Sequence, residues 1–339
     1  ERAGEITALI PADENMETIL SQGLAVYAFG GPKLLQLFRI WRRALRELQT
    51  KHYDLITVQD PYFLGFLAVT LGEKSHVPVE VQVHGFEKFN GGRVRLARFV
   101  LSRASAVRVV SNRLRLTLCK TLKVKSQKLY ILPVYTQIES RHAPRKGTHV
   151  PYPFTFLTIG RLVSVKNVAM QIRAFAKVAA KTPQVRLRIV GDGPLLESLK
   201  LQVKSLKLED KIIFEGHQDN VERFYEEADA FLFTSDSEGW GRVVLEAAAH
   251  KLPIIMTDVG LAREVIKNEE NGLIIPIQDE GELARAMQEF LDKPELRACL
   301  GEAAFKTFKS LPSREAYIEK QIIAWKRVSS PAANIERTA

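Results

Sequence analysis

The sequence predicts an α/β protein of two units, each built around a parallel β-sheet. Short apolar runs alternate along the chain with segments whose apolar residues recur at helical spacing, which is the pattern of βαβ units. Residues 139–153 interrupt this alternation with polar residues, three prolines and one glycine, as an interdomain linker does. A chain of 339 residues is long enough for two hydrophobic cores.

The first unit is expected over residues 1–150. Its predicted strands are 6–10, 24–29, 55–58, 79–83, 106–110 and 129–132. After the second strand, apolar residues recur at helical spacing and would form one stripe along a helix, with arginines on the opposite face. These apolar residues are Leu34, Leu37, Phe38, Trp41, Leu45 and Leu48. Such a stripe favours a core position, with a face lying on a membrane as the alternative. A narrower stripe flanked by arginines follows at Val94, Ala97, Leu101 and Ala104, and there binding at a surface is a stronger alternative.

The second unit is expected over residues 151–312. Its predicted strands are 154–159, 185–190, 212–214, 230–233, 254–257 and 273–276. Residues 313–339 are interpreted as a final helix, over about 313–328, followed by a tail.

Positive charge is concentrated in the first unit. Residues 1–150 contain 23 Lys and Arg against 12 Asp and Glu, whereas the remainder contains 26 against 27. Residues 88–128 include twelve cations and no acid. This segment is either a solvated basic face or a surface that attracts an anionic membrane or a lipid-phosphate acceptor. Nucleic acid is not favoured as a partner, because no aromatic interleaving or binding motif accompanies the charge.

Several classes are excluded or disfavoured by composition. No apolar run reaches the roughly 18 residues of a membrane span. The two cysteines, Cys119 and Cys299, are too few and too distant in sequence for a disulfide framework. A cytoplasmic location is therefore expected, with a peripheral position at the inner face of the membrane as the narrower alternative. The chain begins at Glu1 without a signal peptide, which is typical of a fragment.

The most informative segment joins an apolar strand to a glycine-flanked helix start. Glu238 lies in the turn after strand 230–233, and Glu246 follows eight residues later on the helix that Gly239 and Gly241 open. A helix start offers free N–H groups and a positive dipole end to a phosphate. Eight helical residues rise roughly 12 Å, which exceeds the roughly 5–9.5 Å between paired glycosidase carboxylates. The spacing therefore favours holding a nucleoside diphosphate sugar over hydrolysing a glycoside.

This segment also carries a family resemblance. Glu238-x7-Glu246, followed by Leu252-Pro253 and Thr257-Asp258-Val259-Gly260, resembles the signature of retaining GT-B glycosyltransferases, and more narrowly of glycosyltransferase family 4. The resemblance implies a GT-B fold, with two Rossmann-like domains whose parallel sheets face a central cleft. It also implies that the final helix crosses back onto the first domain. It also implies transfer of a sugar from a nucleotide-linked donor with retention, without a required metal or any cofactor. Residues 2–9 resemble the second strand of the family's first domain, so that domain's first strand and glycine-rich loop are expected to be missing.

Roles for individual residues follow from the resemblance. Gly160-Arg161-Leu162-x3-Lys166 resembles the family segment whose two cations face the donor diphosphate, where fixed positive charge stabilises the leaving group. Glu246 is expected to accept hydrogen bonds from the ribose, and Glu238 from the donor sugar. The backbone N–H groups expected to face the diphosphate are those of Gly239, Trp240, Gly241 and Arg242.

Further resemblances are less specific. His84-Gly85 resembles the first-domain His-Gly whose imidazole reaches the donor sugar, and Glu87 is a weaker candidate for contact with the acceptor. Gly216-His217-Gln218 matches the region that flanks the nucleotide base. Gly191-Asp192-Gly193-Pro194 favours a purely structural strand-to-helix turn. No metal site is expected, because the chain has no Asp-x-Asp and no Cys/His cluster at ligand spacing.

The resulting hypothesis is a retaining glycosyltransferase that acts on a lipid-linked or polysaccharide acceptor at the cytoplasmic membrane face. The alternative is a nucleotide-sugar-binding homologue without turnover.

Overall fold

A computed structural model describes residues 5–14, 16–21, 24–85, 91–138 and 153–330. The chain divides into two compact units. Unit 1 comprises Glu1–Pro133 and Arg314–Ala339, and unit 2 comprises Val134–Ser313. The predicted linker at 139–153 falls almost entirely outside the described residues.

Unit 1 contains seven described strands in two sheets. The strands are β1 (Ile6–Pro11), β2 (Met16–Ser21), β3 (Leu24–Phe29), β4 (Ile56–Val58), β5 (Val79–Val83), β6 (Ala106–Val109) and β7 (Leu129–Ile131). One sheet has the order β1-β3-β2, with β1 parallel and β2 antiparallel to β3. The other has the order β4-β5-β6-β7 and is entirely parallel. All six predicted strands are confirmed, while the antiparallel edge strand β2 was not predicted because its mixed sequence lacks a continuous apolar run.

Five α-helices accompany these strands among the described residues of unit 1. They are α1 (Lys33–Thr50), α2 (Phe63–Ser75), α3 (Gly91–Arg103), α4 (Asn112–Thr117) and, from the end of the chain, α11 (Arg314–Ser329). The predicted final helix over 313–328 therefore corresponds to α11, which belongs to unit 1. None of the helices in the described part of the chain is long and apolar enough to cross a membrane.

Of the two predicted apolar stripes, the first is partly exposed and the second is buried. The predicted core position of the stripe on α1 is wrong for half of its residues: Leu34 is 83% exposed, Phe38 53% and Trp41 37%, while Leu37, Leu45 and Leu48 are half-buried. For the stripe on α3 the core position is confirmed over the surface alternative, because Ala97 and Leu101, and Ala104 just after the helix, are fully buried. Apolar spacing was the same kind of signal in both helices, and the difference arises from which face each sheet covers.

Unit 2 is a single parallel sheet covered by helices. Its strands are β8 (Phe154–Ile159), β9 (Val185–Val190), β10 (Ile212–Gly216), β11 (Ala230–Phe233), β12 (Ile254–Thr257) and β13 (Leu273–Ile275). Its helices are α5 (Val168–Ala179), α6 (Leu196–Ser205), α7 (Glu222–Glu227), α8 (Arg242–Ala249), α9 (Glu280–Asp292) and α10 (Pro294–Lys309). All six predicted strands of this unit are confirmed. The core contains Phe156, Leu187, Leu232 and Ile255 from the strands, packed with α5 and α9.

The strand order of unit 2 creates a place for a ligand. The order is β10-β9-β8-β11-β12-β13, so the chain runs outward from β8 in one direction and then returns to the other side at β11. Ligands of open parallel sheets bind outside the carboxyl ends of the strands at such a reversal. The loops after β8 and β11 are therefore neighbours, and they carry Arg161, Lys166 and Glu238.

Candidate functional site

The loop after β8 is fixed by the turn after β9. Gly191 has a φ of +132°, and a Cβ there would lie 2.0 Å from the carbonyl oxygen of Gly160, so only glycine fits. The Leu162 N–H donates to the carbonyl of Asp192 at 2.9 Å, and the Leu195 N–H donates to the carbonyl of Leu162 at 3.1 Å. This packing assigns the Gly191-x-Gly193 turn a structural role, which is to hold the loop that carries Arg161.

Lys166 is positioned by a short 3₁₀ turn, Ser164–Lys166, that is attached to the end of β11. Thr234 donates its hydroxyl to the carbonyl of Lys166 at 3.1 Å. The Asp236 N–H donates to the carbonyl of Val165 at 2.8 Å. The buried Gln171 amide donates to Thr234 at 2.7 Å. Because these bonds join both loops, the backbone at Lys166 is held at a fixed distance from the turn after β11.

Lys166 and Glu238 form an ion pair through Nζ and Oε1. The hydroxyl of Ser235 donates to the same carboxylate oxygen at 3.0 Å. The Lys166 side chain is 26% exposed and that of Glu238 is 18% exposed, so the pair lies half-buried beside solvent. The structure thus brings together two of the predicted site residues.

Arg161 lines the same recess as Lys166. Gly160, Arg161 and Lys166 line a small recess together with the end of β11, Phe233–Ser235. Arg161 is exposed, and its guanidinium forms no hydrogen bond or ion pair with the described residues. A cation without a partner beside a second cation makes the recess attractive to an anion.

No side chain caps the N-terminus of α8. The N-cap residue, Gly241, has a φ of +96°, and a Cβ there would lie 3.2 Å from the Phe233 ring. Within the described part of the chain, the backbone N–H groups of Gly239, Trp240, Gly241 and Arg242 donate no hydrogen bond. These free donors and the helix dipole provide a site for negative charge. Trp240 is 7% exposed, so its side chain serves packing. Its backbone carbonyl accepts from the Leu261 N–H at 2.9 Å.

Glu246 lies on α8 in an environment that sequence reasoning missed. Tyr225 donates its hydroxyl to the Glu246 carboxylate at 2.8 Å. Its ring stacks on His250, with centroids 5.1 Å apart. The Nδ1 of His250 lies 2.8 Å from the carbonyl of Glu246. Burial and the adjacent Glu246 carboxylate raise the pKa of Tyr225, so the phenol remains a proton donor and orients this carboxylate.

The Gly216-His217-Gln218 segment lies at the carboxyl end of β10, the edge strand of the sheet. Gly216 accepts from the Gly191 N–H at 2.8 Å. His217 is largely exposed and lies 3.4 Å from Asp219. Gln218 donates to the carbonyl of Glu215 at 2.8 Å. The described contacts do not connect this segment to Lys166 or Glu238, and they leave the His217 ring accessible.

His84 belongs to unit 1 and follows β5. It is half-buried, and its Nε2 forms no hydrogen bond with the described residues. Burial, and then the nearby Arg108 cation, lower the pKa of His84. The imidazole is therefore neutral at neutral pH. Glu87, the weaker acceptor candidate, lies outside the described residues.

We expect His84 to titrate below the ordinary histidine pKa of about 6.5. The unfolded chain accepts this proton at a higher pH than the folded chain does, so acidification from about pH 6.5 downward favours unfolding. An NMR titration of the His84 ring, with the urea-unfolded protein as reference, measures both values. A midpoint in the folded protein at or above the unfolded one would contradict the assigned burial.

Two family models match the chain, one in each half. Residues 8–134 match "Glycosyltransferase Family 4", and residues 140–307 match "Glycosyl transferases group 1". The N-acetyl-alpha-D-glucosaminyl L-malate synthase of Bacillus anthracis is 31% identical over 178 residues, covering 52% of this chain and 45% of that protein. The N-acetylgalactosamine-N,N'-diacetylbacillosaminyl-diphospho-undecaprenol 4-alpha-N-acetylgalactosaminyltransferase of Campylobacter jejuni is 32% identical over 142 residues, covering 42% of this chain and 38% of that protein. The chain thus matches less than half the length of these relatives.

Solved structures show the same fold. HepE of Anabaena, in complex with UDP, superposes with a TM-score of 0.76 at 21% identity, covering 90% of this chain and 86% of that one. Sucrose-phosphate synthase of Thermosynechococcus elongatus superposes with a TM-score of 0.76 at 21% identity, covering 95% and 87%. The fold class predicted from the sequence, GT-B, is confirmed by these neighbours.

Proposed function

Because the chain belongs to the group 1, family 4 glycosyltransferases, we propose that it transfers a sugar, with retention, from a nucleoside diphosphate donor. The acceptor is a lipid-linked sugar or a polysaccharide at the cytoplasmic face of the membrane. The observation that carries the proposal is the recess beside the Lys166–Glu238 pair, where the unpartnered Arg161 lines the wall.

The chemistry of transfer requires stabilisation of the leaving group. Cleavage of the glycosyl–phosphate bond places negative charge on the diphosphate. Arg161, Lys166 and the free N–H groups at the start of α8 supply fixed positive charge and donors for it. When the diphosphate takes Lys166 as its partner, the Glu238 carboxylate becomes free to accept hydrogen bonds from the sugar hydroxyls. Glu246, held by Tyr225, accepts from the ribose hydroxyls.

Retention is consistent with a reaction on one face of the sugar. In the donor complex Glu238 keeps its hydrogen bond from Ser235 and accepts from the sugar hydroxyls, so the proposed scheme does not use it as a nucleophile. In the proposed step the bond from the anomeric carbon to the phosphate oxygen breaks, and the acceptor oxygen forms its bond on the same face. The leaving phosphate takes the acceptor proton. The residues need only position the two substrates and stabilise charge, and no metal or cofactor is required in this scheme.

Names of relatives favour particular substrates. The HepE structure contains UDP, and the name of the C. jejuni relative includes a diphospho-undecaprenol acceptor. We therefore take a UDP-sugar as the first donor and a polyprenyl-diphosphate sugar as the first acceptor. The exposed cations Arg93, Arg95 and Arg98 on α3, within the basic segment 88–128, would attract the anionic membrane that holds such an acceptor.

Thermal unfolding with UDP, GDP and ADP tests the donor site. A ligand that binds only the folded protein raises its melting temperature by mass action, so at least one of the three should do so, and UMP should have a smaller effect. Glu246→Gln should reduce the rise, whereas Glu209→Gln, an exposed change, should not. If none of the diphosphates shifts unfolding, the proposed donor site is wrong. A shift without transfer of sugar from any nucleotide sugar would favour a binding protein without turnover.

A further inference from the structure

Helix α1 is packed with its apolar side outward. Its two buried residues are Ile40 and Glu47. Glu47 accepts hydrogen bonds from Arg43 at 2.8 Å and from Tyr53 at 2.9 Å. Gln36 and Arg39 each donate to backbone carbonyls outside the helix, at 2.8 Å in both cases. Polar contacts therefore contribute to the attachment of this side of the helix to unit 1, beside the buried Ile40.

The opposite face of α1 is apolar and open. Leu34, Phe38 and Trp41 are separated by four and three residues, so they form one stripe along the helix. They are 83%, 53% and 37% exposed, and the Phe38 and Trp41 rings contact each other, with centroids 6.0 Å apart. A packed aromatic pair next to a nearly fully exposed leucine is unusual on a solvated surface.

Positive charge flanks this stripe. Lys33, Arg42 and Arg46 are exposed, and none of their side chains forms an ion pair with the described residues. The only acid on α1 is Glu47, which is 6% exposed. A wide apolar stripe bordered by cations complements the headgroup region of an anionic bilayer.

We propose that the outer face of α1 inserts its Leu34–Phe38–Trp41 stripe into the interface of an anionic membrane, with Lys33, Arg42 and Arg46 at the lipid phosphates. At 18 residues the helix is roughly 27 Å long, and it lies along the surface. This inference extends the membrane part of the proposed function, and it assigns the apolar anchor to α1 rather than to the basic segment 88–128 alone.

Vesicle flotation with the full chain tests the proposal. Wild-type protein should float with vesicles of phosphatidylcholine plus phosphatidylglycerol and not with phosphatidylcholine alone. The double variant Leu34→Gln/Phe38→Gln should partition at least about tenfold more weakly, since two large apolar side chains lose their burial. Arg42→Gln/Arg46→Gln should weaken partition by roughly fivefold for each charge removed. All four positions are exposed, so these variants should fold.

Matched controls lie in unit 2. Leu201→Gln replaces a leucine that is 68% exposed, and Lys181→Gln/Lys204→Gln removes two exposed lysines. Neither change should affect flotation. The proposal is overturned if the α1 variants float like wild type, or if wild type does not float at all. It is also overturned if sedimentation shows a dimer that Leu34→Gln/Phe38→Gln dissociates while flotation is unchanged.

These results are separable from the transferase proposal. UDP-induced stabilisation is measured without vesicles, so loss of flotation with intact nucleotide binding overturns only the role of α1. Loss of nucleotide binding in wild type, with flotation intact, overturns only the donor site.

Discussion

Lys166→Met is expected to weaken binding of the nucleoside diphosphate roughly 10- to 100-fold, since a hydrogen bond to a charged group contributes about 1.5–3 kcal/mol. Turnover should fall further, by about 10²–10³-fold, because the lysine meets more negative charge in the transition state than in the bound donor. Titration calorimetry with UDP measures the first effect. Initial rates with a UDP-sugar and a polyprenyl-diphosphate acceptor measure the second.

A second lysine in unit 2 provides a matched control. Lys177 on α5 forms an ion pair with Glu280 at 2.7 Å, as Lys166 does with Glu238, and it is remote from the Lys166 recess in the contacts described. Lys177→Met should leave nucleotide affinity and turnover unchanged. If Lys166→Met behaves in the same way, Lys166 does not meet the donor. A fall in turnover with no change in UDP affinity would restrict its role to the transition state.

The site residues that could be predicted from the sequence lie close to the ends of predicted strands. Strand ends are visible as boundaries of apolar runs, and Arg161, Lys166 and Glu238 each follow such a boundary closely. Once β8 and β11 are recognised as strands of a parallel sheet, the loops that follow them must emerge at the same edge. The ion pair between Lys166 and Glu238, 72 residues apart, is then a consequence of topology.

The parts that sequence did not predict depend on long-range packing. Tyr225 reaches Glu246 from α7, 21 residues earlier, and no periodicity or motif joins these positions. The orientation of α1 is a second example. Its apolar spacing predicts a core face, yet Leu34, Phe38 and Trp41 of that face are exposed, and Gln36, Arg39 and Glu47 make polar contacts on the other side. Amphipathic spacing identifies an apolar face and not the medium that covers it.

A buried polar network in unit 1 could not be predicted from the sequence either. Glu80 on β5 has no exposed surface, and Arg108 on the adjacent strand β6 is 6% exposed. Gln82 connects them, since it donates to Glu80 at 2.7 Å and accepts from Arg108 at 3.1 Å. The sequence suggested a surface role for the basic segment that includes Arg108, but this cation is part of the interior.

The same network attaches α11 to the sheet. Tyr317 forms a hydrogen bond with Arg108. The Trp325 indole donates to Glu80 at 3.1 Å, and Gln321 donates to it at 3.4 Å. The remaining donors to this carboxylate are Thr57 and Tyr130. A buried carboxylate with so many donors is well compensated, whereas its removal leaves those donors without their acceptor.

Glu80→Leu is therefore expected to destabilise unit 1 by about 3–5 kcal/mol, the loss typical when one partner of a buried charged network is deleted. For a unit of this size the melting temperature should fall by roughly 10 °C. Hydrogen exchange should accelerate most in α11, because Gln321 and Trp325 lose their acceptor together. Urea denaturation followed by circular dichroism measures the first effect, and exchange mass spectrometry of residues 314–329 measures the second.

Two further variants distinguish the charge of Glu80 from its shape and from its buried position. Glu80→Gln keeps the shape and one acceptor oxygen, so it should lose less stability than Glu80→Leu and retain more protection in α11. Glu73→Gln removes an exposed glutamate, 55% accessible, that pairs with Arg103 at 2.9 Å on the surface, and solvent screening should make its effect small. Equal stability of Glu80→Leu and Glu73→Gln would show that the network does not hold α11. A loss confined to α11 exchange, with unchanged urea denaturation, would instead mean that the carboxylate anchors the helix without supporting the sheet.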